Sequence, residues 1–419
     1  MKQYRLTAPG RLNATITLPS SKSVSNRALI IYALSGGRTL PQNLSDCDDT
    51  EVIIKALRFM TPEIDIKAAG TAMRFMTAYL SVMRGTHVIT GTERMKHRPI
   101  GILVDALRTL GASIEYVGEE GYPPLRITGT TLEGGLLEIP GNVSSQYISA
   151  LLMIGPVLRK GLTLRLTGDI ISRPYIDLTL WMMGEFGAEA EWENADTITV
   201  KPTPYKSRDY LIENDWSGAS YWYEMLALCD DPEAEIKLTG LTDGSKQGDS
   251  VTRYIFSLLG VKTIFESKEK GTPQTVTLRK SGRCVPKLEY DFTASPDLAQ
   301  TFVATCVAKG IPFHFTGLST LRIKETDRIE AMRRELRKLG YVLHDNGGSE
   351  LRWDGERCEP SPEQGIDTYE DHRMALSIAP LAFQREGLLI NEPQVVTKSY
   401  PRFWDDLRSV GFTIEECKV

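Results

Sequence analysis

Residues 106 to 114, Ala-Leu-Arg-Thr-Leu-Gly-Ala-Ser-Ile, read as the end of an amphipathic helix, a glycine, and the start of an alternating strand. A glycine fits the helix C′ position, where the backbone needs a positive φ, and it fixes the angle at which the next strand leaves. The same phrase returns at 183 to 190 as Met-Gly-Glu-Phe-Gly-Ala-Glu-Ala, and around Gly260 (SLLGVKTIF), Gly340 (ELRKLGYVLHD) and Gly411 (DLRSVGFTIEE). A degenerate copy, ALRFMTPEIDI, occupies 56 to 66. From Gly111 onward the copies recur about every 70 to 80 residues, longer than a solenoid unit and long enough for two helices and several strands. Helix, glycine and strand also follow one another in any α/β protein with short connections. Six copies suggest three units in each of two domains, and two pseudo-threefold domains are compatible with that count. Periodicity does not choose how helices and sheets pack.

At 419 residues the chain exceeds the length at which one core stops growing, which also favours two domains. With 41% hydrophobic and 25% charged residues it has a globular composition, without the long apolar runs of a membrane protein. A net charge of -5 and the lack of a basic stripe argue against nucleic-acid binding, so any anion site must be local. Met1 to Gly10 has neither a signal-peptide core nor a transit-peptide composition, and a cytoplasmic location is expected. The cysteines Cys47, Cys229, Cys284, Cys306, Cys358 and Cys417 are scattered, as are the five histidines. Neither a disulfide framework nor a metal centre is expected. No linker rich in Pro, Gly or Ser interrupts the chain. The texture changes near Pro19 to Ser21 and Glu213 to Ser217 mark candidate domain crossings.

Five expected helices begin with small or capping residues and carry polar side chains in or beside the first turn. Helix N-termini present N–H groups and partial positive charge, an economical way to hold phosphate or carboxylate. The first is Pro19-Ser20-Ser21-Lys22-Ser23-Val24-Ser25-Asn26-Arg27, where Ser23 and Arg27 share a face one turn apart. In Ala69-Gly70-Thr71-Ala72-Met73-Arg74 the glycine lets a ligand approach the backbone closely. Gly141-Asn142-Val143-Ser144-Ser145-Gln146 sets two hydroxyls and an amide at one entrance, more than simple capping needs. In Ala294-Ser295-Pro296-Asp297, Ser fits N-cap, Pro fits N1, and the acid falls in the first turn, where it could simply complement the helix dipole. The fifth, Tyr369-Glu370-Asp371-His372-Arg373-Met374, gathers an acid, a histidine and a guanidinium. Between the last two lies the densest charge cluster, Leu321-Arg322-Ile323-Lys324-Glu325-Thr326-Asp327-Arg328. A charge run is ordinarily a solvated helix face; the interleaved Leu, Ile and Thr suggest instead a strand end and loop aimed at a site, with Lys324 and Arg328 one turn apart.

These residues resemble the 5-enolpyruvylshikimate 3-phosphate synthases. SKSVSNRA, AGTAMR, RMKHRPIG with Arg98, SSQ, SRPYID with Tyr175, SPD, RIKETDR, DHRMA and Lys398 occur in that family's order, from Lys22 to Trp404. The resemblance implies an α/β fold, a two-domain inside-out α/β barrel in which each domain has three repeated α/β units with helices inside and sheets outside. It places residues 1–19 plus 214–419 in one discontinuous domain, with Asp297, Lys324, Glu325 and part of the phosphoenolpyruvate site. Residues 20–213 form an inserted domain with most of the shikimate 3-phosphate site. Three departures are visible: Ala68 and Phe75 stand where the family often has Asn and Pro, and Thr320 replaces an Asn common before the Lys-Glu-Thr-Asp-Arg stretch. The first two bear on the shape of the enolpyruvate pocket, the third on a contact to the shikimate ring.

The reaction so implied moves the enolpyruvyl group of phosphoenolpyruvate onto the 5-hydroxyl of shikimate 3-phosphate and releases phosphate. By resemblance, Lys22, Gly70, Arg98, Gln146, Arg328, His372, Arg373 and Lys398 surround phosphoenolpyruvate. Ser144, Ser145 and Ser172 hold the 3-phosphate. Lys22, Ser23, Arg27, Gln146, Tyr175, Asp297 and Lys324 complete the shikimate 3-phosphate site, in a cleft that closes to assemble residues of both halves. Asp297 is expected to be the base, with Lys324 as the competing candidate, and Glu325 to protonate the methylene carbon; Lys22 joins them in the catalytic set. Substrates with several negative charges require fixed cations, preferably guanidinium forks. No metal, cofactor, nucleic acid, membrane or second chain is required, and a monomer is expected. The rivals are an enolpyruvyl transferase acting on a UDP-amino sugar, which lacks the Asp371 to Met374 pattern, and a non-catalytic anion-binding protein on the same scaffold.

Overall fold

Helices that are apolar around most of their circumference must lie inside a protein, and this chain has several. In Gly70–Val82 every residue from Ala72 to Ser81 is buried, and in Ser145–Ile154 every residue from Tyr147 to Ile154. In Trp216–Leu228 burial runs unbroken from Gly218 to Leu228, and in Ala299–Lys309 from Ala299 to Val307. The strands instead alternate. Leu162, Leu164 and Leu166 point inward while Arg165 is exposed, so one face of that sheet covers the helices and the other meets solvent. The structure, a computed structural model, describes residues 2–37, 39–267 and 269–418. Two compact units result, Ser20–Ile212 and a discontinuous unit of Met1–Pro19 with Glu213–Val419, each with its own hydrophobic core. Helices inside and sheets outside is thus the arrangement found.

The repetition is visible in the sheets. Strands Glu63–Asp65, Gly85–Thr90, Leu125–Gly129 and Ser113–Tyr116 are neighbours in that spatial order, with the first pair parallel and the other two pairs antiparallel. Gly135–Pro140, Leu162–Thr167, Thr197–Val200 and Ala190–Trp192 repeat the same order and directions. So do Asn13–Thr17, Glu235–Thr242, Pro273–Cys284 and Leu259–Phe265. Two further sheets, Leu288–Asp291 with Phe313–Thr316 and Leu351–Trp353, and Leu388–Asn391 with Lys2–Thr7 and Thr413–Lys418, each have three strands. Their missing edges are reduced to isolated bridges, His344↔Arg352 and Ile366↔Ile390 respectively. In Ser20–Ile212 the third unit retains the parallel bridge Gln42↔Leu211. The N-terminal strands Lys2–Thr7 and Asn13–Thr17 belong to two different sheets of the discontinuous unit, which ties both chain ends into one body.

The repeated glycines do what their position predicts at four places. Gly111, Gly187, Gly340 and Gly411 have φ of 101°, 80°, 92° and 99°. Each closes a Schellman motif, as when Gly111 N–H donates to Arg108 and Ala112 N–H to Leu107. Gly260 differs: the strand Leu259–Phe265 has already begun, and the glycine sits in a bulge between Leu259 and Val261. In the degenerate copy Met60 takes the left-handed conformation, φ 42°, and the strand after it occupies the first rather than the last place in its sheet. The stretch before Lys324, expected as a strand end, is the 3₁₀ helix Ser319–Ile323; Lys324 precedes the helix Arg328–Lys338 rather than lying within it. Among the described residues no helix is long and apolar enough to cross a membrane.

Candidate active site

In Ser20–Ile212 four helix starts are tied together by side-chain hydrogen bonds. Ser21 caps Lys22–Leu34 by accepting from Val24 N–H, which leaves Lys22 and Ser23 in the first turn. Arg27, on the next turn, is 3% exposed. Its Nε donates to Thr179 Oγ1 at 2.7 Å, Nη1 to the Ser23 carbonyl at 3.0 Å, and Nη2 to Ser149 Oγ and the Tyr175 carbonyl at 3.1 and 3.3 Å. Its guanidinium also lies over the Phe75 ring, 5.4 Å from the centroid. Burial lowers the Arg27 pKa to about 10, against the opposing pull of Tyr175. The group is still cationic at neutral pH. Arg27 therefore locks three helices, Lys22–Leu34, Ser145–Ile154 and Arg173–Glu185, in register.

The other starts follow. Ser144 caps Ser145–Ile154 by accepting from Gln146 N–H, and the Gln146 amide donates to Thr71 Oγ1 at 3.0 Å, joining this start to that of Gly70–Val82. Gly70 opens its helix beneath Arg98: a Cβ there would fall 2.5 Å from Arg98 Nη1, so only glycine lets the guanidinium lie on the helix N-terminus. Arg98 Nε is buried without a hydrogen-bond partner among the described residues. Ser172 precedes Arg173–Glu185 in the left-handed conformation, φ 54°, and Tyr175 falls in that helix's first turn. Ile171 N–H donates to the Gly141 carbonyl at 3.2 Å, which sets the Ser172 loop beside the Ser144 loop. Lys22 Nζ lies 3.3 Å from Asp49, a carboxylate almost wholly buried.

The discontinuous unit carries a denser network. Arg328, 2% exposed, begins the helix Arg328–Lys338 and touches three carboxylates. Its Nε and Nη2 fork onto Asp371 at 2.6 and 3.2 Å, Nη1 meets Asp297 at 2.9 Å, and Nη2 meets Glu325 at 2.8 Å. Asp297, in the 3₁₀ turn Pro296–Leu298, also meets Arg373 at 3.3 Å and Lys324 at 3.4 Å. Glu325 bridges Arg328 and Lys398, the latter at 2.7 Å. Asp371 caps His372–Ile378 by accepting from Arg373 N–H, and His372 Nδ1 is 3.6 Å from the same carboxylate. Burial alone would push the Asp297 carboxyl up. Lys324, Arg373 and Arg328 outweigh it and hold the group well below the usual carboxylate range. Burial likewise works against the Arg328 charge, and Asp371, Glu325 and Asp297 more than restore it.

Most of the residues expected in the site are helix-start or adjacent loop residues, the exceptions being Arg27, one turn into its helix, and Lys398, at the end of the 3₁₀ helix Pro393–Lys398; they divide between these two networks. Lys22, Ser23, Arg27, Gly70, Arg98, Ser144, Ser145, Gln146, Ser172 and Tyr175 belong to one unit. Asp297, Lys324, Glu325, Arg328, His372, Arg373 and Lys398 belong to the other. Of the three departures, Ala68 is exposed, Phe75 faces Arg27, and Thr320 has a buried Oγ1 without a hydrogen-bond partner among the described residues. Asp49 and Tyr221 escaped the reading of the sequence, and Thr71, inside a quoted helix start, was given no role there. Tyr221 accepts from Arg373 Nη1 at 3.2 Å, and burial raises its phenol to about 12. Their signal is pairing across distant segments, which no local motif records. Among the described residues no group of three or more His, Cys, Asp or Glu side chains could hold a metal ion.

Each unit offers its own chemistry: in Ser20–Ile212, helix N-termini suited to oxyanions, and in the discontinuous unit, a carboxylate-guanidinium web suited to proton transfer. The family described as EPSP synthase (3-phosphoshikimate 1-carboxyvinyltransferase) matches residues 6–65 and 59–407. A 3-phosphoshikimate 1-carboxyvinyltransferase of Bacteroides fragilis is 59% identical over 413 residues, 99% of each chain. One from Aliivibrio fischeri is 36% identical over 446 residues, covering 98% of this chain and all of the relative. The solved EPSP synthase of Acinetobacter baumannii shares the fold with a TM-score of 0.79 at 21% identity, each chain covered in full. With a family match and a full-length relative of that identity, the chain belongs to the EPSP synthase family.

Proposed function

We propose that the chain transfers the enolpyruvyl group of phosphoenolpyruvate to the 5-hydroxyl of shikimate 3-phosphate, releasing phosphate, and that both networks take part. The reaction follows from family membership; the residue roles are our reading. Ser144, Ser145 and Ser172 hold the 3-phosphate, supported by two adjoining loops that open helices. Ser23, Gln146 and Tyr175 frame the shikimate ring and carboxylate. Arg27 contributes its positive charge and holds that frame rigid. Lys22, Arg98, Arg328, His372, Arg373 and Lys398 bind phosphoenolpyruvate, with Gly70 giving Arg98 its place. The partnerless Nε of Arg98 beside a helix N-terminus is the kind of donor an oxyanion satisfies.

The observation that carries the reading is the web around Arg328. Arg328, Arg373, Lys324 and Lys398, four cations, are paired with the three carboxylates of Asp297, Glu325 and Asp371 before substrate arrives, which leaves an excess of one positive charge. Phosphoenolpyruvate competes with those carboxylates for the cations, and a carboxylate that loses a cationic partner binds protons more readily. Asp297 then takes the 5-hydroxyl proton as the oxygen bonds to C2 of phosphoenolpyruvate, and Glu325 delivers a proton to C3. In the second half the C2–O bond to phosphate breaks, the leaving phosphate takes the proton held by Asp297, C3 returns a proton to Glu325, and the enol ether forms. Lys324, beside Asp297, remains the competing base.

The chain works as a cytoplasmic monomer on this reading, supported by six unpaired thiols and by a reaction that needs no second chain. The test is phosphate release by the purified chain with both substrates, repeated with Asp297→Asn and Lys22→Met. Asp297→Asn should lose about 10²- to 10⁴-fold in kcat while still binding shikimate 3-phosphate. Normal binding of shikimate 3-phosphate by the unaltered chain without phosphate release would instead mark a binding protein on this scaffold.

A further inference from the structure

The helix Arg328–Lys338 grips the segment before His372–Ile378 at two points. Arg328, at its start, forks onto Asp371. Glu335, two turns further along the same face, is fully buried. It accepts from Tyr369 Oη–H at 2.5 Å and from Asp367 N–H at 2.9 Å, and Lys338 Nζ lies 2.7 Å from it. Lys338 in turn bridges to Asp367 at 2.8 Å. Between the two grips the backbone runs through Tyr369 and Glu370, both left-handed, with φ of 53° and 55°. Two consecutive non-glycine residues in that region persist only where their surroundings over-determine them, and such places cluster at functional sites. The turn delivers Asp371, which holds Arg328, and Arg373, which meets Asp297.

We propose that Glu335 and Tyr369 are positioning residues for enolpyruvyl transfer: the buried carboxylate, through the phenol and the Asp367 amide, holds the left-handed turn that aims Asp371, His372 and Arg373. Their effect passes through the direction of one short helix. The proposal rests on the assignment of phosphoenolpyruvate to Arg328 and Arg373.

The experiment compares Tyr369→Phe, Glu335→Gln and the double variant in steady-state kinetics with each substrate varied in turn. Thermal melts check that each protein is folded. Tyr369→Phe removes one hydrogen bond to a charged group, so KM for phosphoenolpyruvate should rise about tenfold while KM for shikimate 3-phosphate stays within about twofold. The two substitutions break one linkage, so the double variant should show less than the product of the single effects. A smaller active fraction would lower the rate and leave both KM values alone, and that result overturns the proposal. So does a double variant whose effects multiply. Should Glu335→Gln not fold, Tyr369→Phe and its split between the two KM values still decide. Arg373→Gln separates the two levels of inference. If it raises KM for phosphoenolpyruvate and Tyr369→Phe does not, positioning alone is wrong; if Arg373→Gln has no such effect, the substrate assignment falls and the proposal with it.

Discussion

Glu224 lies on the buried helix Trp216–Leu228 with no solvent exposure, and neither carboxylate oxygen has a hydrogen-bond partner among the described residues. Burial pushes its pKa well above the ordinary value, so the folded state favours the neutral acid. In the unfolded chain the same group ionises near pH 4.3. Above that pH the folded state binds more protons than the unfolded state, and stability falls as pH rises until the folded group also ionises. Glu224→Met should therefore stabilise the protein by about 1–2 kcal/mol at pH 8 and by much less at pH 4, read from urea midpoints at both. An equal gain at the two pH values would mean that ionisation is not what Glu224 costs. A second single-residue effect concerns Gly70, whose added Cβ would collide with Arg98. Gly70→Ala should raise KM for phosphoenolpyruvate about tenfold with little change in melting temperature, because a long side chain can move where a helix cannot. A large drop in melting temperature would show that the backbone, and not Arg98, gives way.

At the scale of the elements, the same glycine plays one role in settings that differ in a measurable way. Gly111 and Gly340 both end helices with positive φ, yet a Cβ on Gly111 would meet nothing within 4 Å, while one on Gly340 would come 3.1 Å from the Cys358 carbonyl. Gly111→Ala should cost about 1 kcal/mol, the price of the left-handed conformation alone. Gly340→Ala should cost more, since a backbone oxygen must also shift; urea midpoints of the two variants rank them. This contrast also shows what was legible in the sequence. Four C′ glycines could be read because a local hydrogen-bond motif dictates both residue and conformation. Gly260 could not be distinguished from them, because its bulge depends on pairing with Pro273–Cys284, a partner distant in sequence. The stretch Leu321 to Ile323 misled for a related reason: its apolar and polar residues alternate as in a strand, but among the described residues no strand pairs with it, and it closes into 3₁₀ turns. The polar side chains that open helices were readable from capping and charge. Asp49 and Tyr221 were not, because each matters only through a partner that folding brings near.

For the whole molecule, a net charge of -5 coexists with a site that must attract anions, and the two are reconciled by local pairing. Lys324, Arg328, Arg373 and Lys398 each already have a carboxylate at hand, so the sequence total says little about the field a substrate meets. The consequence is a pH dependence that belongs to the web rather than to one side chain. Asp297 is held low by Lys324, Arg373 and Arg328 against the effect of burial. If Asp297 is the base we propose, it acts only when ionised, and the acid limb of kcat follows its pKa in the substrate complex. Taking one cation away raises that pKa: Arg373→Gln should move the acid limb upward by about one pH unit, besides weakening substrate binding. The same shift would arise if Lys324 were the base, because losing a positive neighbour raises an amine's pKa as well. Asp297→Asn separates the two. If the carboxylate is the base, the rate collapses at every pH. If the amine is the base, removing its anionic partner at 3.4 Å lowers its pKa, so activity survives and the acid limb moves down. A surviving, down-shifted profile would transfer the proton-abstracting role to Lys324 and leave Asp297 as the group that holds it in place.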